Sequence, residues 1–344
     1  MLRSRLLLVL PALFGLASAQ QVSLTGAGAT FPYPLYATMF DIYQKETGVS
    51  VNYQSIGSGG GQRQLLEKTV HFGASDAPLS DEQMANYPGK VLHIPTALGA
   101  VVATYNLPGL ETPLNLTGEV LAKIFLGQVK TWDDPAIAEI NQGVELPALP
   151  ITVAHRSDGS GTTFAFVEYL SKVSPEWEEE VGVGTAVEWP TGLGGKGNEG
   201  VTGLVRQTPG AIGYVELIYA VQNDLAYAAI QNQSGEFIIP ELASVEAAGE
   251  IEDFPADTRV SLTDTPNPEG YPITTLTWIL VYEDQEISAK SQAEAKALVD
   301  LLWWMTHEGQ EQNEKLDYGR LPDIAVAKSE ALIQGIKFQG EPLR

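Results

Sequence analysis

Hydrophobic and polar positions follow two different periods along the chain, and the two periods alternate. Val22–Thr25 has the alternation of a strand, and the segment after it has the spacing of a helix. Four apolar side chains of that segment share one helical face: Tyr36, Met39, Phe40 and Tyr43. Gly48 is placed to end this helix, and Pro32 and Pro34 suit a first turn, where N–H groups lack intrahelical acceptors. The pattern predicts a strand followed by a helix.

The same alternation continues through the next segments. Val49–Tyr53 is typical of a second strand, the run QRQLLEKTV after Gly57–Gly61 of a helix, and Val70–Ser75 of a third strand. Ser80 and Gln83 have the spacing of a capping box, in which two side chains bond the backbone at a helix start. Repeated alternation of strands and helices predicts an α/β protein with largely parallel sheets.

Two extended runs are long enough to pass between lobes, and we interpret them as crossover segments: His93–Tyr105 and Tyr271–Tyr282. The acidic stretch 245–258 predicts a solvated face. A late helix is predicted by apolar residues on one side, namely Leu298, Leu301, Leu302 and Met305. The chain length of 344 residues favours two domains over one.

The first residues have the composition of a secretory signal peptide. Arg3 and Arg5 precede an apolar run that is about half the length of a membrane-spanning helix. An A-x-A pattern ends at Ala19, so we expect cleavage near Ala19 and removal of residues 1–19. The chain has no cysteine, so no thiol can carry a lipid or bind a metal. These features predict an exported protein that is periplasmic and not a lipoprotein.

Charge narrows the possible partners. The chain has 43 acidic and 20 basic residues, and its formal net charge of −23 becomes two units more negative without Arg3 and Arg5. So acidic a protein has no electrostatic basis for binding nucleic acid or an anionic membrane surface. The four histidines lack metal-ligand spacing, so neither a metal site nor a cofactor is predicted.

Three turns combine small residues, a hydroxyl side chain and a following helix: 26–31, 57–61 and 159–163. Such turns let backbone N–H groups point outward, and the N-terminus of a helix carries partial positive charge. One such turn suits any connection between a strand and a helix. Three of them, with Arg156 beside one, indicate a site for an oxyanion.

Other interpretations of the glycine-rich segments fail specific tests. Neither Ser58 nor Ser160 stands in the G-x-S-x-G pattern of a hydrolase, and Lys196 is followed by glycine rather than the Ser or Thr of a Walker loop. Gly192–Gly197 matches G-x-G-x-x-G once, after a strand-like stretch, but no acidic residue is well placed to bind a ribose. We interpret it as a loop that leads into a helix at Val201–Gln207.

Six longer motifs occur in one order along the chain: LTGAGATFPYPLY, NYQSIGSGGGQ, FGASDAPLSDE, RSDGSGTTF, GLGGKGNEGV and PGAIGYVE. Together they resemble those of the periplasmic phosphate-binding proteins of bacterial phosphate ABC importers. The resemblance covers nearly the whole chain after the signal segment. It implies a type II periplasmic binding protein, an α/β fold with two lobes, each a mixed sheet flanked by helices. Residues 20–95 with 271–344 would form lobe I and residues 96–270 lobe II, joined by two crossover hinge segments.

The resemblance also implies which residues surround one buried orthophosphate. Those of lobe I would be the hydroxyl and N–H of Thr30, the Phe31 N–H, Ser58 and Asp76. Those of lobe II would be Arg156, the hydroxyl and N–H of Ser160, the Gly161 N–H and Thr162, with Asp158 paired to Arg156. Gly59 and His155 stand where close relatives often carry Ser and Arg. Neither departure removes a ligand of this set.

Asp76 is the informative member of the set, because it directs a carboxylate at an anion. An ionised carboxylate only accepts hydrogen bonds. Phosphate still carries a proton that it can donate near neutral pH, whereas sulfate does not. We therefore expect Asp76 to favour phosphate and to repel sulfate.

The sequence predicts a non-enzymatic binding protein. It would capture inorganic phosphate between hinged lobes and deliver it, as a monomer, to an inner-membrane phosphate ABC permease. Two alternatives stay open. An exported phosphatase on the same scaffold is disfavoured by the lack of a metal cluster or a nucleophile with a matched base. A receptor for another tetrahedral oxyanion is disfavoured by Asp76.

Overall fold

The computed structural model describes residues 22–110 and 112–344. The expected signal segment, with its cleavage site near Ala19, lies outside the described residues. Within the described ranges, no helix has both the length and the apolar character that crossing a membrane requires.

Strands and helices alternate through most of this range. The strands are β1 (Ser23–Gly28), β2 (Ser50–Ser55), β3 (Phe72–Ser75), β4 (Val91–Tyr105), β5 (Asn115–Leu116), β6 (Thr152–Arg156), β7 (Leu193–Gly195), β8 (Ala211–Glu216), β9 (Ala226–Tyr227), β10 (Ala229–Gln231), β11 (Phe237–Ile238), β12 (Thr274–Tyr282), β13 (Lys337–Phe338) and β14 (Glu341–Pro342). The α-helices are α1 (Tyr33–Thr47), α2 (Ser58–Leu66), α3 (Asp81–Met84), α4 (Gly118–Phe125), α5 (Pro135–Ala138), α6 (Gly161–Val173), α7 (Pro175–Glu180), α8 (Gly197–Gln207), α9 (Leu217–Val221), α10 (Leu242–Gly249), α11 (Gln292–Thr306) and α12 (Asp323–Gln334). Short 3₁₀ helices occupy Gln285–Ile287, Glu308–Gln312 and Glu314–Leu316.

The main sheet, which has nine strands in the described part of the chain, falls into two groups that share β4. One group has the order β2-β1-β3-β12 and pairs with the first part of β4. The other has the order β8-β6-β7 and pairs with the last part of β4. We call these groups, with the helices beside them, lobe I and lobe II.

Both groups are mixed sheets. β1 pairs in parallel with β2 and β3, and β6 pairs in parallel with β7 and β8. β12 is antiparallel to β3 and β4, and β8 is antiparallel to β4. The predicted parallel pairing therefore holds at the outer strands only. The chain leaves lobe I along β4 and returns along β12 in the opposite direction, which makes the central pairing antiparallel.

β4 is a single strand of 15 residues, and every one of them is buried. Its residues Val91–Ala100 pair with β12, and Val101–Tyr105 pair with β8. It begins two residues before the extended run that the sequence predicts, His93–Tyr105, and ends at the same residue. A strand buried on both faces along its whole length needs the continuous apolar sequence found here.

α1 is the helix predicted from the first apolar face. The four residues of that face are buried, and Gly48 ends the helix with a left-handed φ of 80°. Tyr36 and Phe40 pack against Tyr53 of β2, with ring centroids 5.5 and 6.0 Å apart. This packing fixes the N-terminus of α1 directly after the turn that carries Thr30.

The prediction of a solvated face in the acidic stretch holds for its carboxylates, since Glu250, Glu252, Asp253 and Asp257 are exposed, but it does not describe the whole stretch. The stretch includes most of α10, where Val245 is fully buried, and a loop in which Phe254 and Thr258 are buried. The Thr258 hydroxyl donates to the His93 carbonyl oxygen at 2.5 Å, and the indole N–H of Trp278 donates to the Thr258 carbonyl oxygen at 3.1 Å. Apolar residues between the acidic ones thus pack this segment onto β4 and β12.

Candidate functional site

The three glycine-rich turns meet at the boundary between the lobes. The Gly59 N–H donates to the Gly159 carbonyl oxygen at 3.0 Å, and the Gly161 N–H donates to Ser58 Oγ at 3.0 Å. A Cβ on Gly161 would lie 2.6 Å from the Cβ of Asp76, closer than atoms can approach. All eight residues that the resemblance implies as ligands are buried around this contact: Thr30, Phe31, Ser58, Asp76, Arg156, Ser160, Gly161 and Thr162.

Glycine at position 59 suits this close approach. A Cβ at that position would lie 3.2 Å from the Cα of Gly159, so the partner backbone would have to shift by a few tenths of an ångström. The departure at Gly59 therefore removes a hydroxyl at a place where the two lobes touch backbone to backbone.

Two tyrosines orient the turn after β1. The Tyr219 hydroxyl donates to the Thr30 carbonyl oxygen at 2.6 Å, and the Tyr318 hydroxyl donates to the Phe31 carbonyl oxygen at 2.6 Å. In a trans peptide, the carbonyl of Thr30 and the N–H of Phe31 point in opposite directions. Within the described ranges, no protein group accepts a hydrogen bond from the N–H of Thr30 or Phe31. These N–H groups are available to a ligand.

Ser58 and Asp76 form the second part of the site. Ser58 Oγ accepts hydrogen bonds from the N–H of Asp76 at 3.2 Å and from that of Gly161, and its hydroxyl donates to Asp76 Oδ2 at 3.3 Å. Thr277 of β12 donates to Asp76 Oδ1 at 2.8 Å. A ligand that bonds the Gly161 N–H would compete with Ser58 for it.

The environment of Asp76 changes its acidity. Burial raises the pKa of Asp76 to about 7, against the opposing effects of the Thr277 hydrogen bond, the charge of Arg156 and the Ser58 hydrogen bond. The carboxyl can therefore hold or release a proton near neutral pH. It is the group at the turns that can accept a proton from a ligand.

Arg156 ends β6 and is held by Asp158. Its Nε and Nη2 donate to the two carboxylate oxygens at 2.8 and 2.6 Å, and its Nη1 donates to Thr162 Oγ1 at 3.3 Å. These bonds use three of the five guanidinium N–H groups, so one remains on each terminal nitrogen. Burial favours a higher pKa for Asp158, but hydrogen bonding and charge from Arg156 outweigh it and lower the pKa. The fork that remains suits two oxygens of one anion.

An aromatic stack supports the backbone of Arg156. Its N–H donates to the Tyr214 hydroxyl oxygen at 3.0 Å. The Tyr214 ring stacks on Phe166, with centroids 4.4 Å apart, and on Trp189 at 5.6 Å. His155 stacks on the same Trp189 at 4.9 Å. The departure at His155 therefore affects this stack, and it also affects the backbone of Arg156, because His155 Nδ1 lies at hydrogen-bond distance, 3.0 Å, from the Arg156 carbonyl oxygen.

α6 begins at the third turn. Ser160 is its N-cap, and Ser160 Oγ accepts the Thr163 N–H at 3.0 Å, so its hydroxyl hydrogen is free to point elsewhere. The Ser160 N–H, which the resemblance directs to phosphate, donates instead to the Thr185 carbonyl oxygen at 2.8 Å. In this structure the contribution of Ser160 is its hydroxyl. The N-terminus of α6 adds partial positive charge beside it.

Asn198 lies at the site, and the sequence did not predict it there. It is fully buried in the first turn of α8, and its side-chain amide donates to Thr30 Oγ1 at 2.8 Å and to Thr162 Oγ1 at 3.2 Å. It therefore connects the hydroxyls of the two lobes. The motif GLGGKGNEGV contains it and contributes to the family resemblance, but the residues themselves predict only a loop before a helix.

The site can thus surround an anion with donors and offers one carboxyl at the turns as acceptor. In the part of the chain that the structure describes, no three His, Asp or Glu side chains lie together in a way that could hold a metal ion. The donor set is that of a binding site for a small oxyanion with a proton of its own.

Comparison with known proteins identifies the family of the chain. Residues 16–305 match a family model described as PBP superfamily domain. The chain is 46% identical to the phosphate-binding protein PstS of Pasteurella multocida over 96% of this chain and 94% of the relative. It is 46% identical to PstS of Haemophilus influenzae over 90% of this chain and 92% of the relative.

Among solved structures, the phosphate-binding protein of Stenotrophomonas maltophilia matches the fold with a TM-score of 0.67 at 18% sequence identity. The match covers 91% of this chain and 93% of that one. The fold is that of a type II periplasmic binding protein. The chain belongs to the PstS family of phosphate-binding proteins, whose members are named for binding rather than for an enzymatic activity.

Proposed function

We propose that this protein binds one inorganic phosphate ion between its lobes and delivers it to an inner-membrane phosphate ABC permease. The observation that carries the proposal is the meeting of three donor-rich turns with Asp76 in one buried place. A buried anion needs hydrogen bonds to replace those of water, and this place supplies them from both lobes. The names of the relatives support the choice of phosphate.

In the proposed complex, the ligand takes over the hydrogen bonds that the Ser58 hydroxyl and the Gly161 N–H make to protein groups in its absence. The donors are the hydroxyl and N–H of Thr30, the Phe31 N–H, Ser58, the two free N–H groups of Arg156, the Ser160 hydroxyl, the Gly161 N–H and Thr162. Asp158 orients Arg156 and dilutes its charge. Asp76, when ionised, accepts a hydrogen bond from the proton of the ligand. Its pKa near 7 means that the ionised carboxyl is populated near neutral pH.

We propose that residues 20–95 and 271–344 belong to lobe I and residues 96–270 to lobe II. β4 supports a division within this strand, because Val91–Ala100 pair with the sheet group of lobe I and Val101–Tyr105 pair with that of lobe II. Thr258 and its neighbours, by contrast, pack on lobe I. Release of phosphate would then require the turns to separate about β4 and the segment before β12, as in other hinged binding proteins.

Location and partners complete the proposal. The protein would act in the periplasm as a monomer, after cleavage near Ala19, and without a lipid anchor because it has no cysteine. Mass spectrometry of the exported protein would test the cleavage site, since a mature N-terminus far from Gln20 contradicts it.

The proposed function is tested by calorimetric titration of purified protein, freed of bound ligand by unfolding and refolding, with phosphate and then sulfate. We expect tight binding of one phosphate per chain and no heat from sulfate near pH 7. A folded protein that binds neither anion would overturn the proposal.

Asp76→Asn supplies the second arm of this titration. Asparagine can donate as well as accept, so the variant should lose much of the preference for phosphate over sulfate. We expect the ratio of the two affinities to fall by roughly 100-fold or more, because a site built around one hydrogen bond rejects ligands that lack it. An unchanged ratio would show that Asp76 does not sense the ligand proton.

A further inference from the structure

Asn198 occupies a central position among the hydroxyls of the site. Its side chain is fully buried, and the groups that it contacts belong to both lobes: Thr30 after β1, Thr162 at the start of α6, and Glu216 at the end of β8. A buried amide with every polar group bonded is rigid, because each alternative rotamer would leave a polar group without a partner.

The orientation of this amide follows from one backbone contact. The N–H of Glu216 lies 2.9 Å from Asn198 Oδ1. A backbone N–H can only donate, so the side-chain atom that faces it must be the amide oxygen. The amide nitrogen, which can only donate, therefore faces the two threonines.

That orientation determines where the Thr30 hydroxyl hydrogen can point. Thr30 Oγ1 accepts one hydrogen bond from Asn198 Nδ2 at 2.8 Å and a second from the backbone N–H of Asn198 at 3.1 Å. A hydroxyl oxygen has two lone pairs and one hydrogen. With both lone pairs occupied, the hydroxyl can act toward a third group only as a donor.

Thr162 is in the same condition. Its Oγ1 accepts from Asn198 Nδ2 at 3.2 Å and from Arg156 Nη1 at 3.3 Å. Both donors lack acceptor capacity on these nitrogens, so neither contact can reverse its direction. The Thr162 hydrogen is left for the ligand as well.

We propose that Asn198 is a positioning residue that makes the hydroxyls of Thr30 and Thr162 obligate donors to the bound anion. The inference rests on the proposed function. A hydroxyl can usually rotate so that it either donates a hydrogen bond or accepts one. These two hydroxyls cannot accept a hydrogen bond from a ligand, because both lone pairs of each oxygen are occupied. A ligand proton that meets either threonine therefore finds no acceptor, and the proton is directed to Asp76. Asn198 thus deepens the selectivity for an anion with a single proton in one orientation.

The test compares Asn198→Ala and Asn198→Asp by phosphate titration at pH 5 and pH 8, beside the wild type. Alanine removes the side-chain donor and leaves the hydroxyls free to rotate. Ionised aspartate presents an acceptor in place of that donor, so both hydroxyls would turn toward it and their lone pairs toward the ligand. At pH 8 we expect binding about 10-fold weaker for N198A and about 100-fold or more weaker for N198D, given the usual cost of lost and reversed hydrogen bonds.

The pH dependence separates positioning from structural damage. At pH 5 the new carboxyl of N198D gains a proton and can donate again, so its deficit relative to wild type should shrink at least several-fold. The deficit of N198A should stay the same at both pH values. Asn106→Asp is the matched control, because the Asn106 amide donates to the carbonyls of Val205 and Arg206 in lobe II rather than to hydroxyls. It adds the same charge, and we expect its phosphate affinity to stay within about 3-fold of wild type.

A double-mutant cycle of N198A with Thr30→Val tests the inference even if N198D does not fold. Without the Thr30 hydroxyl, part of the cost of N198A should disappear, and we expect a coupling of about 3-fold or more. Additive losses, or equal deficits of N198A and N198D at both pH values, would overturn the inference while the proposed function stands. A wild type that fails to bind phosphate would overturn both.

Discussion

Asp76 shows how strongly a single buried carboxyl affects the pH dependence of the stability of the protein. Burial raises its pKa from 3.8 to about 7, so between these values the folded ligand-free protein holds a proton that the unfolded chain releases. The stability that comes from this proton is complete below about pH 4 and is lost as the pH rises through about 7. Glu216, whose pKa burial also raises well above its ordinary value, contributes in the same direction.

Asp76→Asn should remove the Asp76 part of this pH dependence, because asparagine does not titrate. Wild type should lose stability as the pH rises from 4.5 to 8, and the variant should lose less. We expect the melting temperature of the ligand-free variant minus that of wild type to increase by roughly 3 °C or more over this range. Thermal unfolding of both proteins in buffers without phosphate measures the difference. The rest of the change of melting temperature with pH, which comes from Glu216 and the acidic surface, is common to both proteins. A difference that stays constant with pH would show that Asp76 is not protonated in the folded protein.

Residue by residue, the sequence predicted the groups that meet at the turns better than the groups that orient them. Thr30 and Ser58 stand in glycine-rich turns that lead into helices, and Arg156 ends the strand before a third such turn, whereas the resemblance to a family implies their role as ligands. The orienting partners come from distant parts of the chain, such as Tyr318, which bonds a carbonyl 287 residues before it. No local pattern marks such a residue, because the contact exists only after the sheet has formed. Asn198 lies in a motif but had no visible partner there.

At the level of elements, α6 combines stability and binding in one cap. Ser160 accepts the Thr163 N–H, and Ser291 accepts the Glu294 N–H in the same way at the start of α11. Loss of either cap should reduce the free energy of unfolding by about 1 kcal/mol. Only Ser160 also lies at the turns.

Ser160→Ala and its control Ser291→Ala should therefore separate the two roles. Urea unfolding should show similar losses of stability, whereas phosphate titration should show about 10-fold weaker binding for Ser160→Ala alone. Equal affinities of the two variants would mean that the Ser160 hydroxyl acts only as a cap.

The elements themselves were predictable where one periodicity dominates. α1, β4 and the capping box at Ser80 follow from local pattern, and the structure confirms them. The strand-like stretch 186–189 forms no strand, and β7 instead uses Leu193–Gly195, where β6 supplies a parallel partner. α8 begins at Gly197, four residues before the predicted start, because the first two N–H groups of the helix find acceptors in the side chains of Asp158 and Thr30. Tertiary pairing decided these cases.

For the whole molecule, the strongly negative charge and the anion site are compatible because they act over different distances. Screening at physiological ionic strength limits the field of surface carboxylates to about 8 Å. At the turns, the ligand would meet N–H and O–H groups at hydrogen-bond distance. Overall charge therefore limits partners such as nucleic acid, whereas the local geometry determines the ligand.

Closure of the whole molecule depends on one close contact between the lobes, that of Gly161 with Asp76, which leaves no room for an additional atom. A Cβ on Gly161 would lie 2.6 Å from Asp76 Cβ and 2.7 Å from its Cα, and Asp76 directly follows β3, which limits how far these atoms can move. Gly161→Ala should keep each lobe folded but hold the turns apart.

Small-angle X-ray scattering measures this effect directly. Wild type should become more compact when phosphate is added, whereas Gly161→Ala should change little and bind phosphate roughly 100-fold more weakly, because donors of one lobe no longer reach the ligand. Gly203→Ala is the matched control: it lies in α8, and the nearest atom to its new Cβ would be 3.9 Å away. If Gly161→Ala becomes as compact as wild type when phosphate is added, the contact between Gly161 and Asp76 does not limit closure. The lobes must then be able to close without bringing these two residues as near to each other as they are here.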